Sequence, residues 1–309
     1  MSSTPIRWSV LILVSISALV AAVSVGRSEA AAPPPDRLPP TKPTIDGQLR
    51  PTVLRPVFTF GATDRRTPRG KIRFRCAFDG ATLRPCARIH RPAATLPFGP
   101  HTLRVRAFDL AGNASRVTSR SFTVVGAWEA AADFERAPRP ANPGRDRYGN
   151  TTWSYLYSQG RSHDPAGYQL LPTFAVIAPN WEVWHLLPNF QSASAGYING
   201  QTVMHPGGPA NLPQNAVVGW RSPVGGTVKI ELAIENHAAS NCPVPANGIV
   251  WSLDQGTRSV RSGAVAPGAV TNQALDASVT AGESLYLVVE DNGDSNCDST
   301  GVRLVIETQ

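Results

Sequence analysis

A chain of 309 residues is too long for one ordinary core, which runs to roughly 100–200 residues, and has room for about two. Its 26 glycines and 28 prolines stand beside an ordinary 42% hydrophobic fraction, so the surplus serves turns rather than disorder. The net charge of +7 is unevenly placed: residues 27–150 hold 22 basic and 10 acidic side chains and residues 151–309 hold 6 and 12, so only the front half suits an anionic surface.

The chain opens on Arg7, an uncharged run rich in Val, Leu, Ile and Ala over residues 8–26, and then Arg27. A charged start, an apolar middle and the small pair Ser28 and Ala30 describe a secretory signal. Roughly 20 apolar residues equally suffice for an uncleaved anchor helix. Residues 1–30 are read as signal peptide or membrane anchor, the one expected contact with a membrane. Export places the rest outside the cell or at its surface, where nucleic acid is not an expected partner. Residues 31–43 hold Pro33, Pro34, Pro35, Pro39, Pro40 and Pro43, a stiff extended linker.

From residue 71 the pattern alternates: Ile72, Phe74, Cys76 and Phe78 share one face and Arg73 and Arg75 the other, as in a half-buried strand. Asp79-Gly80 then supplies a tight hairpin turn. A second run sets Leu103, Val105 and Ala107 against Arg104 and Arg106 and ends in the turn-rich Asp109-Leu110-Ala111-Gly112-Asn113. Short strands separated by turns, without helical period, predict an antiparallel sandwich over residues 44–126. Four cysteines in an exported chain pair most naturally within domains, Cys76 with Cys86 and Cys242 with Cys297. His101, opening a strand beside a turn, is read as a capping or packing residue. Arg73, Arg75, Arg104 and Arg106 form a basic stripe, either a solvated face or an attachment surface for an anionic polymer.

The order Phe74-Arg75-Cys76-Ala77-Phe78-Asp79-Gly80, Cys86, Gly99-Pro100-His101-Thr102-Leu103-Arg104-Val105-Arg106-Ala107-Phe108-Asp109 and Ala111-Gly112-Asn113 resembles the bacterial Ig-like repeats of actinobacterial surface and secreted proteins. The resemblance covers about 80 residues. It implies an Ig-like β-sandwich serving as an extracellular spacer or adhesion module.

Residues 127–141 are alanine-rich and admit a short helical turn, closed off by Asn142-Pro143-Gly144. Trp153, Tyr155 and Tyr157 then share one strand face, placed either in a core or against sugar rings, with packing the favoured reading. Strands are predicted over residues 216–221, 226–235, 248–253, 284–290 and 303–308, and long loops between Ser158 and Pro213. An all-β run of this size predicts a larger jelly-roll β-sandwich over residues 127–309.

Asn142-Pro143, Trp153-Ser154-Tyr155, Met204-His205-Pro206-Gly207, Val218-Gly219-Trp220-Arg221-Ser222-Pro223, Gly225-Gly226-Thr227-Val228-Lys229-Ile230, Ala281-Gly282-Glu283-Ser284-Leu285 and Asp298-Ser299-Thr300 together resemble the galactose-binding-like jelly roll of many carbohydrate-binding modules. The resemblance implies extracellular binding of a glycan or cell-wall polymer. It also implies a structural calcium, for which Asp291, Asp294 and Asp298 offer oxygen ligands in a loop without the Gly and terminal Glu of an EF-hand. Trp181 and Trp184 follow Pro179-Asn180 and precede His185 and Pro188-Asn189, so flat rings lie beside polar groups. With Tyr197 and His205 they are the candidate ligand residues. In the competing reading both tryptophans plug one end of the sandwich, while Trp220 and Trp251 alternate with apolar residues and face the core.

No catalytic constellation accompanies these features. His90, His101, His163, His185, His205 and His237 include no i, i+4 zinc-protease pair, no serine sits in a Gly-x-Ser-x-Gly elbow, and the cysteines serve as bridges. Asp164 and Glu182 lie near His163 and His185, which keeps a secreted carbohydrate-active hydrolase as the alternative, beside a purely structural envelope protein.

Overall fold

The computed structural model describes residues 34–136, 141–187, 192–209, 211–237, 242 and 246–309, so the expected signal or anchor segment lies outside the described residues. Among those residues no helix is long and apolar enough to cross a membrane.

The front of the chain forms β1 (Thr44–Asp46), β2 (Phe58–Gly61), β3 (Arg73–Phe78), β4 (Arg84–Cys86), β5 (Ile89–His90), β6 (Gly99–Phe108) and β7 (Thr118–Val124). They pair antiparallel as a β1-β2-β5 sheet facing a β4-β3-β6-β7 sheet. Alternation decides which side is buried: Phe74, Cys76, Leu103, Val105 and Ala107 point inward to meet Phe58, Phe60 and Phe122. Each buried Val, Leu or Phe among them contributes about 1.5–3 kcal/mol. Asp79 and Gly80 take φ of 49° and 80°, the left-handed pair that a two-residue hairpin needs. Asp79 also accepts from the Thr102 amide at 2.9 Å and meets His101 Nδ1 at 2.7 Å, while His101 packs its ring on Phe122. Both disulfides form within their own part of the chain, Cys76 to Cys86 and Cys242 to Cys297.

The rear of the chain is a larger antiparallel sandwich. Its strands are β8 (Ala127–Glu129), β9 (Gly144–Arg145), β10 (Thr151–Gln159), β11 (Gln169–Leu170), β12 (Thr173–Ala178), β13 (Trp181–His185), β14 (Ser194–Ile198), β15 (Gln201–His205), β16 (Gln214–Arg221), β17 (Gly226–Asn236), β18 (Ile249–Gln255), β19 (Arg258–Val265), β20 (Val270–Val279), β21 (Ser284–Asp291) and β22 (Thr300–Thr308), with the helix α1 (Ala130–Arg136) after β8. One sheet runs β11-β10-β16-β21-β18-β19 and the other β12-β13-β14-β15-β22-β17-β20. From β16 onward the chain passes repeatedly between the two sheets, as a jelly roll does. Trp128, Trp153, Tyr155, Trp220 and Trp251 are fully buried between them, so the β10 aromatics pack rather than present themselves to a ligand. Two of the indoles find carboxylates: Trp128 Nε1 donates to Asp146 at 2.8 Å and Trp153 Nε1 to Asp133 at 3.0 Å.

The expected long loops between Ser158 and Pro213 are corrected by β11 to β15, most of them in one meander. Their hairpins turn at Asn180 (φ 60°) and at Asn199-Gly200 (φ 48° and 91°). The strands escape a period-two reading because both faces carry apolar side chains, Val183 and Val203 on one and Trp184 and Met204 on the other.

Little chain separates the two sandwiches, since β7 ends at Val124 and β8 begins at Ala127. Phe98 packs against both cores, 5.6 Å from the Trp128 ring and 5.1 Å from Tyr148, and the Tyr148 hydroxyl donates to the Thr52 carbonyl at 3.0 Å.

Candidate functional site

The meander β12 to β15 turns one face to the core and the other outward. The register aligns Thr173, His185, Ser194 and His205 in one outward row, and Ala175, Val183, Gly196 and Val203 in the next. Trp181 and Ile198 form a third row. All of these except Thr173 and Gly196 line a groove of about 180 Å³, together with Ile177 and Ser299.

A Cβ on Gly196 would lie 2.2 Å from the Glu182 carbonyl oxygen, so only glycine fits where β13 and β14 approach this closely. A Cβ on Gly301 of β22 would meet His237 Nε2 at 2.6 Å, so His237 leans over that position at the rim.

The polar groups are few and held in place. His185 Nδ1 lies 2.7 Å from the Leu187 carbonyl, an acceptor only, so Nδ1 carries a proton and Nε2 is left to face a ligand. Burial lowers the pKa of His205, against a smaller opposing contribution from the Pro206 backbone, which favours its neutral form. The groove thus offers a half-buried indole, two imidazoles and serine hydroxyls beside apolar side chains.

Of the residues singled out in the sequence, Trp181, His185 and His205 come together here. Trp184 and Tyr197 do not, which corrects their assignment as ligand residues. Alternate residues of a strand face opposite ways, so Trp184 and Tyr197 enter the core, Trp184 5.1 Å from Phe174 and Tyr197 6.0 Å from Phe134. Ile198, Val203 and Ser299 were missed, and the Asn199-Gly200 hairpin signal was the clue that could have placed the first two on paired strands.

Arg73, Arg75, Arg104 and Arg106 share the outer face of β3 and β6, with Arg75 opposite Arg106. Arg75 and Arg106 sit 5.2 and 5.7 Å over the Phe108 ring, Arg104 Nη2 donates to the Ala81 carbonyl at 2.6 Å, and Arg106 Nε to the Ser115 carbonyl at 2.8 Å. None of the four makes an ion pair among the described residues.

The three carboxylates proposed for calcium divide. Asp298 is fully buried, and burial, with Asp294 and Asp291 nearby, pushes its pKa up to about 7 against the opposing hydrogen bond from Asn236. Asp291 has one buried oxygen without a partner and gives the other to Arg161. Asp294 instead accepts from Asn247 Nδ2 at 3.2 Å and the Asn296 amide at 2.9 Å. Asp291, Asp294 and Asp298 are not among the carboxylate groups that converge within 4.8 Å in the described residues. Asp36, Asp64 and Asp109 of the front sandwich, which the sequence did not flag, converge within 4.8 Å, and each accepts a backbone N–H.

No protein-family profile matches the chain, and no characterised protein matches it in sequence. Among solved structures it is similar to the carbohydrate-binding modules of the β-sandwich superfamily studied for promiscuous specificity, at 9% identity over 88% of this chain and 97% of that one, with a TM-score of 0.30. It is similar also to CBM51-2 with GlcNAc and the INT domains of Clostridium perfringens ZmpB, at 12% identity over 85% and 48% of the two chains and a TM-score of 0.28. A family 29 carbohydrate-binding module from Piromyces equi gives 14% identity over 51% and 91% and a TM-score of 0.23. At such TM-scores these similarities carry no argument, and the all-β sandwich architecture stands on the strand pairing itself.

Proposed function

We propose that this chain is an exported, non-catalytic protein that binds a glycan or cell-wall polymer through the β12–β15 groove, with the front sandwich as a basic spacer. The observation that carries the reading is the register that puts Trp181, His185 and His205 on one outward face lining the same groove. A pyranose ring has an apolar C–H face for the indole and hydroxyl edges for imidazole Nε2 and serine Oγ. The two disulfides agree with an oxidising compartment, and the unpaired arginines of β3 and β6 suit an anionic wall polymer. A glycan array probed with the full chain and with Trp181→Ala tests the reading. Binding that the variant loses at an unchanged melting temperature supports it, and equal binding by both chains overturns it.

The buried oxygens of Asp298 and Asp291 are the groups that would hold a structural calcium, which would neutralise two carboxylates beneath the C-terminal strand. Calcium at about a hundred times its dissociation constant is expected to raise stability by about 2.7 kcal/mol. Thermal melts with calcium and with a chelator check this. Asp298→Asn should melt alike in both, and a parent chain indifferent to calcium would remove the proposal.

A further inference from the structure

At one side of the rear sandwich the edge strands of the two sheets, β19 and β20, face each other across an open cleft of about 440 Å³. Inward positions on such strands should be apolar, and farther along they are: Val265 on β19 and Leu275, Ala277 and Val279 on β20 join the core. At the cleft they are not. Arg261 stands opposite Leu253 and Gly263 opposite Trp251, and the inward row of β20 continues as Gln273 and Thr271. Polar side chains at core-facing positions break the local pattern, and such breaks mark functional sites.

A second observation points to a ligand. Trp251 is 2% exposed and its indole N–H, like that of Trp220 and unlike those of Trp128 and Trp153, has no hydrogen-bond partner among the described residues. A Cβ on Gly263 would lie 3.2 Å from that nitrogen, so the absence of a side chain there leaves the indole edge at the cleft floor. Arg261 spends only Nε within the protein, donating to Gln273 Oε1 at 3.1 Å, while Gln273 Nε2 donates to Thr271 Oγ1 at 3.2 Å. The forked end of the guanidinium makes no ion pair among the described residues, and no lining residue is a carboxylate. One free cation among hydroxyl, amide and indole donors matches a carboxylate on a hydroxyl-rich ring.

We propose that the β19–β20 cleft binds an acidic sugar unit of the uronic-acid type, its carboxylate forked on Arg261 and its hydroxyls on Gln273 and Thr271. The site is separate from the β12–β15 groove and needs none of its residues. Calorimetric titration of the full chain with D-glucuronate and with D-glucose tests it, beside the variants Arg261→Ala, Gln273→Ala and Trp181→Ala. Glucuronate is expected to bind at least about tenfold more tightly than glucose, and Arg261→Ala to remove about that factor, as the loss of one forked ion pair would. Gln273→Ala should weaken binding in part, Trp181→Ala should leave it unchanged, and the Trp251 indole N–H resonance should shift on titration. Arg261 is solvent-exposed, so its variant is expected to melt with the parent. Failure of glucuronate to bind, equal affinity for glucose, retention of binding in Arg261→Ala, or loss in Trp181→Ala each overturns the assignment. Only the last of these implicates the β12–β15 groove, so the two sites fail independently.

Discussion

Trp184→Ala is expected to cost the rear sandwich about 3–5 kcal/mol, whereas Trp181→Ala, three residues earlier on β13, is expected to cost less than about 1 kcal/mol. Trp184 is 8% exposed and packs in the main core beside Phe174, so truncation leaves a cavity that paired strands on both sides prevent from collapsing. Trp181 lies half-buried at the groove mouth and its removal opens space already continuous with solvent. Urea unfolding checks both variants, with a lowered midpoint for Trp184→Ala and an unchanged slope in each. Similar losses in the two would mean that the tryptophans share one environment, and the division of β13 into core and groove faces would fall.

That division explains what could be read in the sequence. The strands of the front sandwich were legible because Arg73 and Arg75 alternate with Phe74 and Cys76, and the Asp79-Gly80 turn fixes the register. Trp220 and Trp251 were placed in the core for the same reason. The groove was half legible: Trp181, His185 and His205 stood out by residue type, but apolar residues on both faces of β13 and β15 erased the alternation that separates Trp181 from Trp184. Pairings between distant segments leave no local trace at all. Nothing near His163 announces that its partners are Asp254 and Glu290, 91 and 127 residues away.

His163 gives the second large effect, and it depends on pH. Its Nδ1 lies 2.7 Å from Asp254 Oδ2 and its Nε2 2.7 Å from Glu290 Oε1, while Ser252 Oγ, 3.1 Å from Nδ1, donates to the same Asp254 oxygen at 2.9 Å. Ionised carboxylates only accept, so both contacts are hydrogen bonds only when the imidazole carries two protons. Desolvation pushes the His163 pKa down, but the hydrogen bonds to Asp254 and Glu290 and their charges outweigh it, and the net shift is upward from 6.5. Tyr168, Asp164 and the Arg161–Asp291 pair complete the polar surroundings of this segment, which lies across the outer faces of β18 and β21. A raised pKa in the fold means that the native state holds the extra proton more tightly than the unfolded chain does. The stabilisation is therefore complete below about 6.5 and is lost as pH rises through the higher folded value. At pH 5.5, His163→Gln is expected to cost about 3 kcal/mol, because Asp254 is 1% exposed and would be left as a buried charge, the low end of such losses since His163 keeps a third of its side chain in water. As pH rises through that folded value the parent loses one of the two bonds, so the gap between parent and variant should be narrower at pH 9 than at pH 5.5. Urea unfolding of both proteins at the two pH values isolates this contribution from every other titrating group, and a gap that stays constant with pH would show that His163 bridges the two strands without its second proton.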